Sequence, residues 1–239
     1  MRKQPPFNKM KEVRYMAYSR GSSSNIIVGA AALFTHNAGP IGYNEVDGKI
    51  TDAQAATDLP ALTASSTSYK DTLSDSVTGA GYTNIGYTSN GLELAFQPDF
   101  GDVAVDQLLD VARLFKQGMT VNLNTSFAES TLENLLVAIA GKGGVGGDLS
   151  PEASGLQTLK MSAGDIGDVP LERGIVAVGP GSGSSLDPKE RIYVAYRALS
   201  IENVTVSAKR DEATMFEVSF RLLPNDNASY GKIVDRSLA

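Results

Sequence analysis

The chain has no cysteine, no tryptophan and only one histidine, His36, among its 239 residues. Without cysteine it cannot form a disulfide, a thiolate metal site or a cysteine nucleophile, and a lone histidine leaves zinc sites and catalytic triads with almost nothing to use. His36 precedes Asn37 and a Gly-Pro turn, so we interpret it as a residue at the end of a strand. These absences predict a protein that is not an enzyme and that has no catalytic residue, no cofactor and no metal site.

Long hydrophobic runs are also missing. The longest run, residues 26–34, is interrupted by Gly29 and is well short of the ~20 residues that cross a bilayer. The basic first residues are not followed by the apolar segment of a secretion signal. We therefore expect no membrane anchor and synthesis in the cytoplasm. The apolar fraction of 42% is sufficient for a sizeable core.

Charge is distributed unevenly along the chain. The net charge is -6, yet residues 1–20 carry a balance of +5 and the remaining residues carry -11. We interpret residues 1–20 as a basic N-terminal arm, which is either a frayed terminus or a contact between subunits and rings. The candidate contact residues of this arm are Arg2, Lys3, Lys9, Lys11 and Arg14. The acidic remainder argues against a surface that grips nucleic acid, because phosphate affinity comes chiefly from Lys and Arg.

Two glycine-rich segments lack the context that chemistry requires. In GKGGVGG, residues 141–147, Lys142 is followed by Gly143, whereas a phosphate-binding loop needs Ser or Thr there and a helix after it. The GxGxS pattern within residues 179–185 has no strand-to-helix elbow, and only His36 is left to activate Ser182. Neither segment predicts a nucleotide site or a hydrolase.

Carboxylates cluster within residues 99–110 and again at Asp165 and Asp168. The first cluster lacks the spacing of a calcium-binding loop, and sugar-binding platforms are few without tryptophan. We interpret these carboxylates as parts of solvated loops or subunit contacts, with calcium binding as the open alternative. The candidate subunit-contact turn comprises Asp99, Asp102 and Asp106.

One amphipathic helix is predicted at about residues 130–140. Ser130 can cap its start, Glu133 completes a capping box, and Gly141 offers a left-handed end. Spacing at i, i+3, i+4 and i+7 predicts an apolar stripe, which consists of Leu132, Leu135, Leu136 and Ile139. This stripe needs a sheet or another helix to cover it.

Alternation of apolar and polar residues predicts strands through much of the remaining chain. The clearest strands are residues 92–97 and 119–124, and an antiparallel meander is predicted at residues 192–198, 204–208 and 216–222. Weaker patterns occur at residues 26–35, 158–162 and 174–178. Between the first two strands, residues 107–117 favour a helical turn over a strand.

The predicted fold is mainly β, an α+β arrangement in which one helix flanks an antiparallel β-sandwich or partly closed barrel. Residues 21–239 are predicted to form a single domain. Its long loop insertions lie at about residues 37–80 and 141–155, where Gly, Ser, Asp and Pro are frequent.

Three segments together resemble the major tail tube proteins of long-tailed bacteriophages. They are residues 82–107, 119–141 and 191–225, about a third of the chain. Their most telling elements are the turn Val105-Asp106-Gln107, the approach Ala128-Glu129-Ser130 to the helix, and a closing strand that ends in Phe220-Arg221-Leu222-Leu223-Pro224. The resemblance implies a tail-tube or Hcp-like fold, a β-sandwich or barrel with one helix that assembles into hexameric rings.

The same resemblance implies a structural protein of the virion tail. Stacked rings of such proteins form the conduit for DNA ejection, and the implied partners are further copies of the chain together with tape measure, terminator and distal tail proteins. DNA is expected to pass through without specific binding, so the polar strand faces are candidates for the lumen. The candidate lumen-facing residues are Glu93, Gln97, Asn122, Asn124 and Glu217. The alternatives are another ring component of a tail or secretion tube, and a monomeric β-sandwich binding or adhesin module.

Overall fold

The fold is mainly β and antiparallel, which confirms the predicted class. A computed structural model describes residues 26–27, 29–79, 81–104, 111–141, 148–150, 155–161, 170–183, 187–207, 210–211 and 213–238. The strands within these residues are β1 (Ala32–His36), β2 (Tyr43–Asn44), β3 (Lys49–Ile50), β4 (Tyr82–Gly86), β5 (Thr88–Ala104), β6 (Val111–Phe127), β7 (Arg173–Pro180), β8 (Lys189–Ser200), β9 (Phe216–Leu223) and β10 (Gly231–Ser237). The helices there are α1 (Asp52–Asp58), α2 (Tyr69–Ser74) and α3 (Leu132–Ala138).

One large sheet organises the molecule, with the strand order β4-β1-β7-β8-β9-β6-β5. Strand β10 also pairs with β8, along Lys189–Ala195, whereas β9 pairs with the last residues of β8, Arg197–Ser200. The sheet is not closed into a barrel.

The sheet bends over one hydrophobic cluster, the first of two, which gives it a sandwich-like form. Strands β6 and β9 face this cluster from one side, and β1, β7 and β8 face it from the other. The alternation of apolar residues explains this arrangement, because every second side chain of a strand points to the same face. The cluster includes Val121, Leu123, Phe127, Val218, Phe220, Leu33, Ile175, Ala177 and Ala195.

In the segment 37–80, predicted as a long insertion or irregular loop, the described residues 37–79 include regular elements that pack on the sheet. They contain the β2–β3 hairpin, α1 and α2, so the fold has more than the one predicted helix. Thr51 caps α1 by accepting a hydrogen bond from the backbone N–H of Gln54. Tyr69 and Leu73 of α2 join a second cluster with Phe34, Val176 and Ile192, on the face of β1, β7 and β8 opposite the first cluster. These three strands are therefore buried on both faces.

Helix α3 confirms the predicted helix, but the predicted capping residues are wrong. The predicted apolar stripe is right in part, since Leu136 is buried and Leu135 packs against the hydrophobic cluster. Thr131 is the N-cap and accepts a hydrogen bond from the Asn134 N–H, while the Ser130 hydroxyl donates to the Thr214 carbonyl. The left-handed residue at the end is Ala140, with φ of 53°. The buried residues are Asn134, Leu136, Val137 and Ala138, whereas Ile139 is exposed. The helix is rotated because the Asn134 side chain donates to the carbonyls of Ile85 and Glu129.

Several strand predictions also need correction. Residues 111–117 belong to β6, not to a helical turn. Residues 201–207 are outside the strands, and Leu159 makes only an isolated bridge with Leu149. Strands β4 and β10 were not predicted, and β1 begins at Ala32 instead of residue 26. The arm at residues 1–20, most of the loop at 141–155, and Asp106, Asp110, Asp165 and Asp168 lie outside the described residues.

Candidate functional site

The five predicted lumen residues lie on three adjacent strands, β5, β6 and β9. Glu93 pairs with Asn124, which pairs in turn with Ser219 on β9. Gln97 and Asn122 occupy neighbouring rows of the same strands, and Glu217 pairs with Ser126. Directly paired residues and residues two apart share a face of a sheet, so all five candidates belong to one face. We call this surface, opposite the hydrophobic cluster, the polar face.

The polar face carries more acidic than basic charge. Glu93 and Glu217 are exposed on it, and Asp99 extends the same alternation along β5. Arg221, which pairs with Asn122, is the basic residue in these rows and was not among the predicted site residues. The alternation of Glu217, Ser219 and Arg221 was a signal that could have found it.

The polar face has a hydrogen bond between side chains of its neighbouring strands β6 and β9. The Ser219 hydroxyl lies 2.8 Å from Asn124 Oδ1 and donates to it. Asn122 Oδ1 is buried and has no hydrogen-bond partner among the described residues. The face thus offers amides, hydroxyls and carboxylates without the cluster of cations that would hold a phosphate backbone.

The outer part of β5 and β6 is a long two-stranded ribbon. Strand β9 pairs with β6 only along Val121–Phe127, while β5 pairs with β6 as far as Ala104 and Val111. At about 3.3 Å per residue, residues 98–104 extend roughly 20 Å beyond the last β9 pair. Both edges of this part, the projecting hairpin, are unpaired within the described residues.

Large apolar side chains are exposed on the projecting hairpin. Leu114 is 62% exposed and Phe115 is 45% exposed, and as consecutive strand residues they point to opposite faces. Phe100 and Val103 on β5 are also exposed. Phe115 lies over Gly101, since a Cβ built on Gly101 would come within 2.8 Å of its ring. Asp99 and Asp102, predicted to belong to a turn, are instead strand residues of β5 on this hairpin.

The start of β5, at the end of the ribbon opposite the projecting hairpin, is linked to β6 and to the segment before α3. Asn90 and Gly91 have positive φ angles of 61° and 72° and produce a bulge in β5, where the Thr125 hydroxyl donates to the Gly91 carbonyl. The Glu129 carboxylate accepts a hydrogen bond from the Tyr87 N–H at 2.9 Å. Asn134 of α3 also contacts this region, since it donates to the carbonyls of Ile85 and Glu129.

An apolar groove runs between β5 and β10. Two adjoining depressions, about 160 and 330 Å³ in volume, share Leu94, Phe96, Tyr193 and Ile233 in their walls. Each of the two strands has one unpaired edge within the described residues, because β5 pairs with β6 and β10 with β8. The groove therefore combines apolar side chains with free backbone hydrogen-bonding groups.

Other polar groups in the described part of the chain serve packing. Burial raises the pKa values of Tyr69 and Tyr82, whose hydroxyls donate to the carbonyls of Pro60 and Asp58. Among the described residues no group of three or more His, Asp or Glu could hold a metal ion. No helix there has the length and apolar character to cross a membrane.

The fold and these surfaces define a mainly β, sandwich-like protein with one polar sheet face and one projecting ribbon. Comparison of the chain with known protein families finds no match, and comparison with curated proteins finds no significant relative.

Proposed function

We propose that the protein is a structural, non-enzymatic component of a bacteriophage tail, whose copies form stacked rings that make the tail tube. The observation that carries this proposal is the projecting hairpin. A two-stranded ribbon is marginally stable by itself in water, and fully burying each large apolar side chain contributes roughly 1.5–3 kcal/mol. Contact with another copy would cover Leu114, Phe115 and Phe100, so the hairpin suits an assembled protein better than a monomeric binding module.

Free strand edges support ring formation. An unpaired edge such as that of β5 is a template for pairing with another chain, and a ring that continues the sheet between subunits satisfies it. Each contact then joins two different surfaces of identical subunits. Head-to-tail contacts of this kind either close into rings or extend as filaments. The hexameric number comes from the family resemblance.

The polar face supports the proposed role as a conduit. If it lines the lumen, Glu93 and Glu217 repel DNA phosphates and the amides beside them form no fixed ion pair with the duplex. DNA then passes without specific binding. The same proposal places the protein in the virion tail with the tape measure, terminator and distal tail proteins as neighbours, after synthesis in the host cytoplasm.

Charge reversal on the polar face tests this proposal. In phage particles that carry Glu93→Lys, we expect slower or trapped DNA ejection, because a ring of lysines attracts the phosphates that move past it. Glu45→Lys is the matched control, since it makes the same charge change at an exposed residue of the insertion. Dye-based ejection assays on particles with normal tails measure the rate. Unchanged ejection from the Glu93→Lys particles would count against a luminal polar face.

The length of the assembly distinguishes a tube protein from other ring-forming components. Rings that stack to an indefinite length favour the tube protein, whereas a single ring of fixed size favours another ring component of a tail or secretion apparatus.

A further inference from the structure

A depression of about 510 Å³ lies beside α2, where β4 leads into β5. Its volume is within the range of small-molecule sites in proteins, ~300–1,000 Å³. Apolar lining comes from Phe34 and from the alanines at 30–32, and α2 contributes Lys70 and Asp71. We call it the Tyr87 depression, after the aromatic residue in its wall. It is at the start of β5, so the projecting hairpin, at the other end of that strand, takes no part in it.

Tyr87 presents an exposed aromatic ring on a backbone that is held on both sides. The residue is 80% exposed. Its N–H donates to Glu129 Oε1 at 2.9 Å, and its carbonyl accepts from the Ala128 N–H, also at 2.9 Å. A tyrosine has only two side-chain torsions, so its ring loses little conformational freedom on contact with a ligand. Tyr87 therefore suits a platform on which another ring can lie.

A glycine allows the Glu129 carboxylate to reach this depression. Gly86 has a φ of 87°, and a Cβ built on it would collide with the Glu129 carboxylate. Glu129 uses Oε1 for the Tyr87 N–H, and Asn84 uses Oδ1 to accept from the Gly86 N–H. Glu129 Oε2 and Asn84 Nδ2 have no hydrogen-bond partner among the described residues. An acceptor and a donor thus share the depression with the aromatic ring.

The charges in the wall narrow the class of ligand. One cation, Lys70, lies among two carboxylates, Asp71 and Glu129, so the depression does not favour a phosphate or another anion. An uncharged sugar ring matches the wall better. Its C–H groups can pack on the negative face of an aromatic ring, and its hydroxyls both donate and accept hydrogen bonds.

We propose that the Tyr87 depression binds one uncharged hexopyranose ring of a glycan. The ring stacks on Tyr87, one hydroxyl donates to Glu129 Oε2, and another accepts from Asn84 Nδ2. This inference goes beyond the proposed function and does not depend on the assembly of copies into rings.

Saturation-transfer NMR on the full-length protein tests this site, with methyl glucoside, methyl galactoside and N-acetylglucosamine as separate probes. We expect transfer to the ring protons of at least one probe. Tyr87→Ala should weaken the binding of that probe about tenfold, because the stacking surface is lost, whereas Tyr87→Phe should retain it. Tyr43→Ala is the matched control and should bind normally, since Tyr43 is 44% exposed on β2 and does not line the depression.

Two outcomes overturn the proposal. One is the absence of saturation transfer to all three probes. The other is binding that Tyr87→Ala leaves unchanged, or weakens no more than Tyr43→Ala does, in variants whose circular dichroism spectra and unfolding midpoints match those of the unmodified protein.

Electron microscopy of the same samples reports separately on the proposed function. Tubes from a protein that binds no probe reject the sugar site alone. Probe binding by a protein that forms neither rings nor tubes supports the sugar site while it contradicts the tube. If Tyr87→Ala abolishes tubes and the unmodified protein binds no probe, Tyr87 is a subunit contact and the sugar site is rejected.

Discussion

Arg236 and Glu190 form an enclosed ion pair that fastens the helical insertion to the sheet. Arg236 Nε lies 2.6 Å from Glu190 Oε1, and the two side chains are only 3% and 5% exposed. Glu190 also accepts hydrogen bonds from the Tyr69 N–H and the Ser68 hydroxyl, at the start of α2. Arg236 donates to the Thr67 carbonyl and stacks over the Tyr69 ring. The pair therefore joins β8, β10 and α2 at one point.

Removing one partner of this pair should destabilise the protein strongly. We expect Arg236→Met to reduce the free energy of unfolding by about 3–5 kcal/mol, because Glu190 is left buried without a cation. Adding Glu190→Gln to that variant should recover part of the loss, since the buried charge is removed. Guanidinium unfolding measures both.

An exposed pair provides the control. Arg191 and Asp235 lie on the same two strands, with side chains that are 28% and 37% exposed. Solvent screening keeps the value of such a pair below about 1 kcal/mol, so Arg191→Met should cost much less than Arg236→Met. Equal losses in the two variants would show that the enclosed pair has no special role.

The N-cap of α3 gives a second prediction at the residue scale. Thr131→Ala should lower the free energy of unfolding by about 1 kcal/mol, because the Asn134 N–H loses its acceptor. Ser130→Ala should cost less, since Ser130 bonds the exposed Thr214 carbonyl instead of the helix. Thermal and chemical unfolding of the two variants compare the sites. A larger loss from Ser130→Ala would restore Ser130 as the cap.

Among the elements, the projecting hairpin is expected to be needed for assembly but not for folding of the monomer. The double variant Leu114→Ser with Phe115→Ser removes exposed apolar surface, so the monomer should keep its circular dichroism spectrum and unfolding midpoint. Sedimentation should show loss of rings and tubes, because the apolar side chains that would contact the neighbouring copy have been removed. Val77→Ser, at an 81% exposed site, is the control and should assemble normally. Tubes of unchanged length from the double variant would exclude the hairpin as a contact.

The elements differ in how well their sequences predict them. Residues 92–97 and 119–124 alternate because one face is apolar, and the same alternation placed all five lumen candidates on one face. Beyond them the pattern fails, since Leu114 and Phe115 are consecutive apolar residues of a ribbon with no core to face. Helices α1 and α2 have seven and six residues, too short to show helical periodicity, and tertiary packing stabilises them. The groove depends on how distant strands meet, which local patterns do not contain.

At the scale of the whole molecule, different surfaces have separate tasks in the proposed assembly. The insertion packs on the outer side of β1, β7 and β8, and the polar face lies on the other side of the sandwich. In the proposed assembly, the hairpin would contact a further copy. In the proposed tube, this division makes the acidic balance of the chain compatible with a role around DNA, since the charge would repel phosphate and the exposed apolar surface would hold copies together.

Electron microscopy of the purified full-length protein is the most direct test of the proposed function. Negative staining over a range of concentrations should show rings that stack into tubes of variable length, with a continuous central channel. A protein that remains monomeric at high concentration, as judged by the same images and by sedimentation, would contradict the proposal that it builds a tail tube.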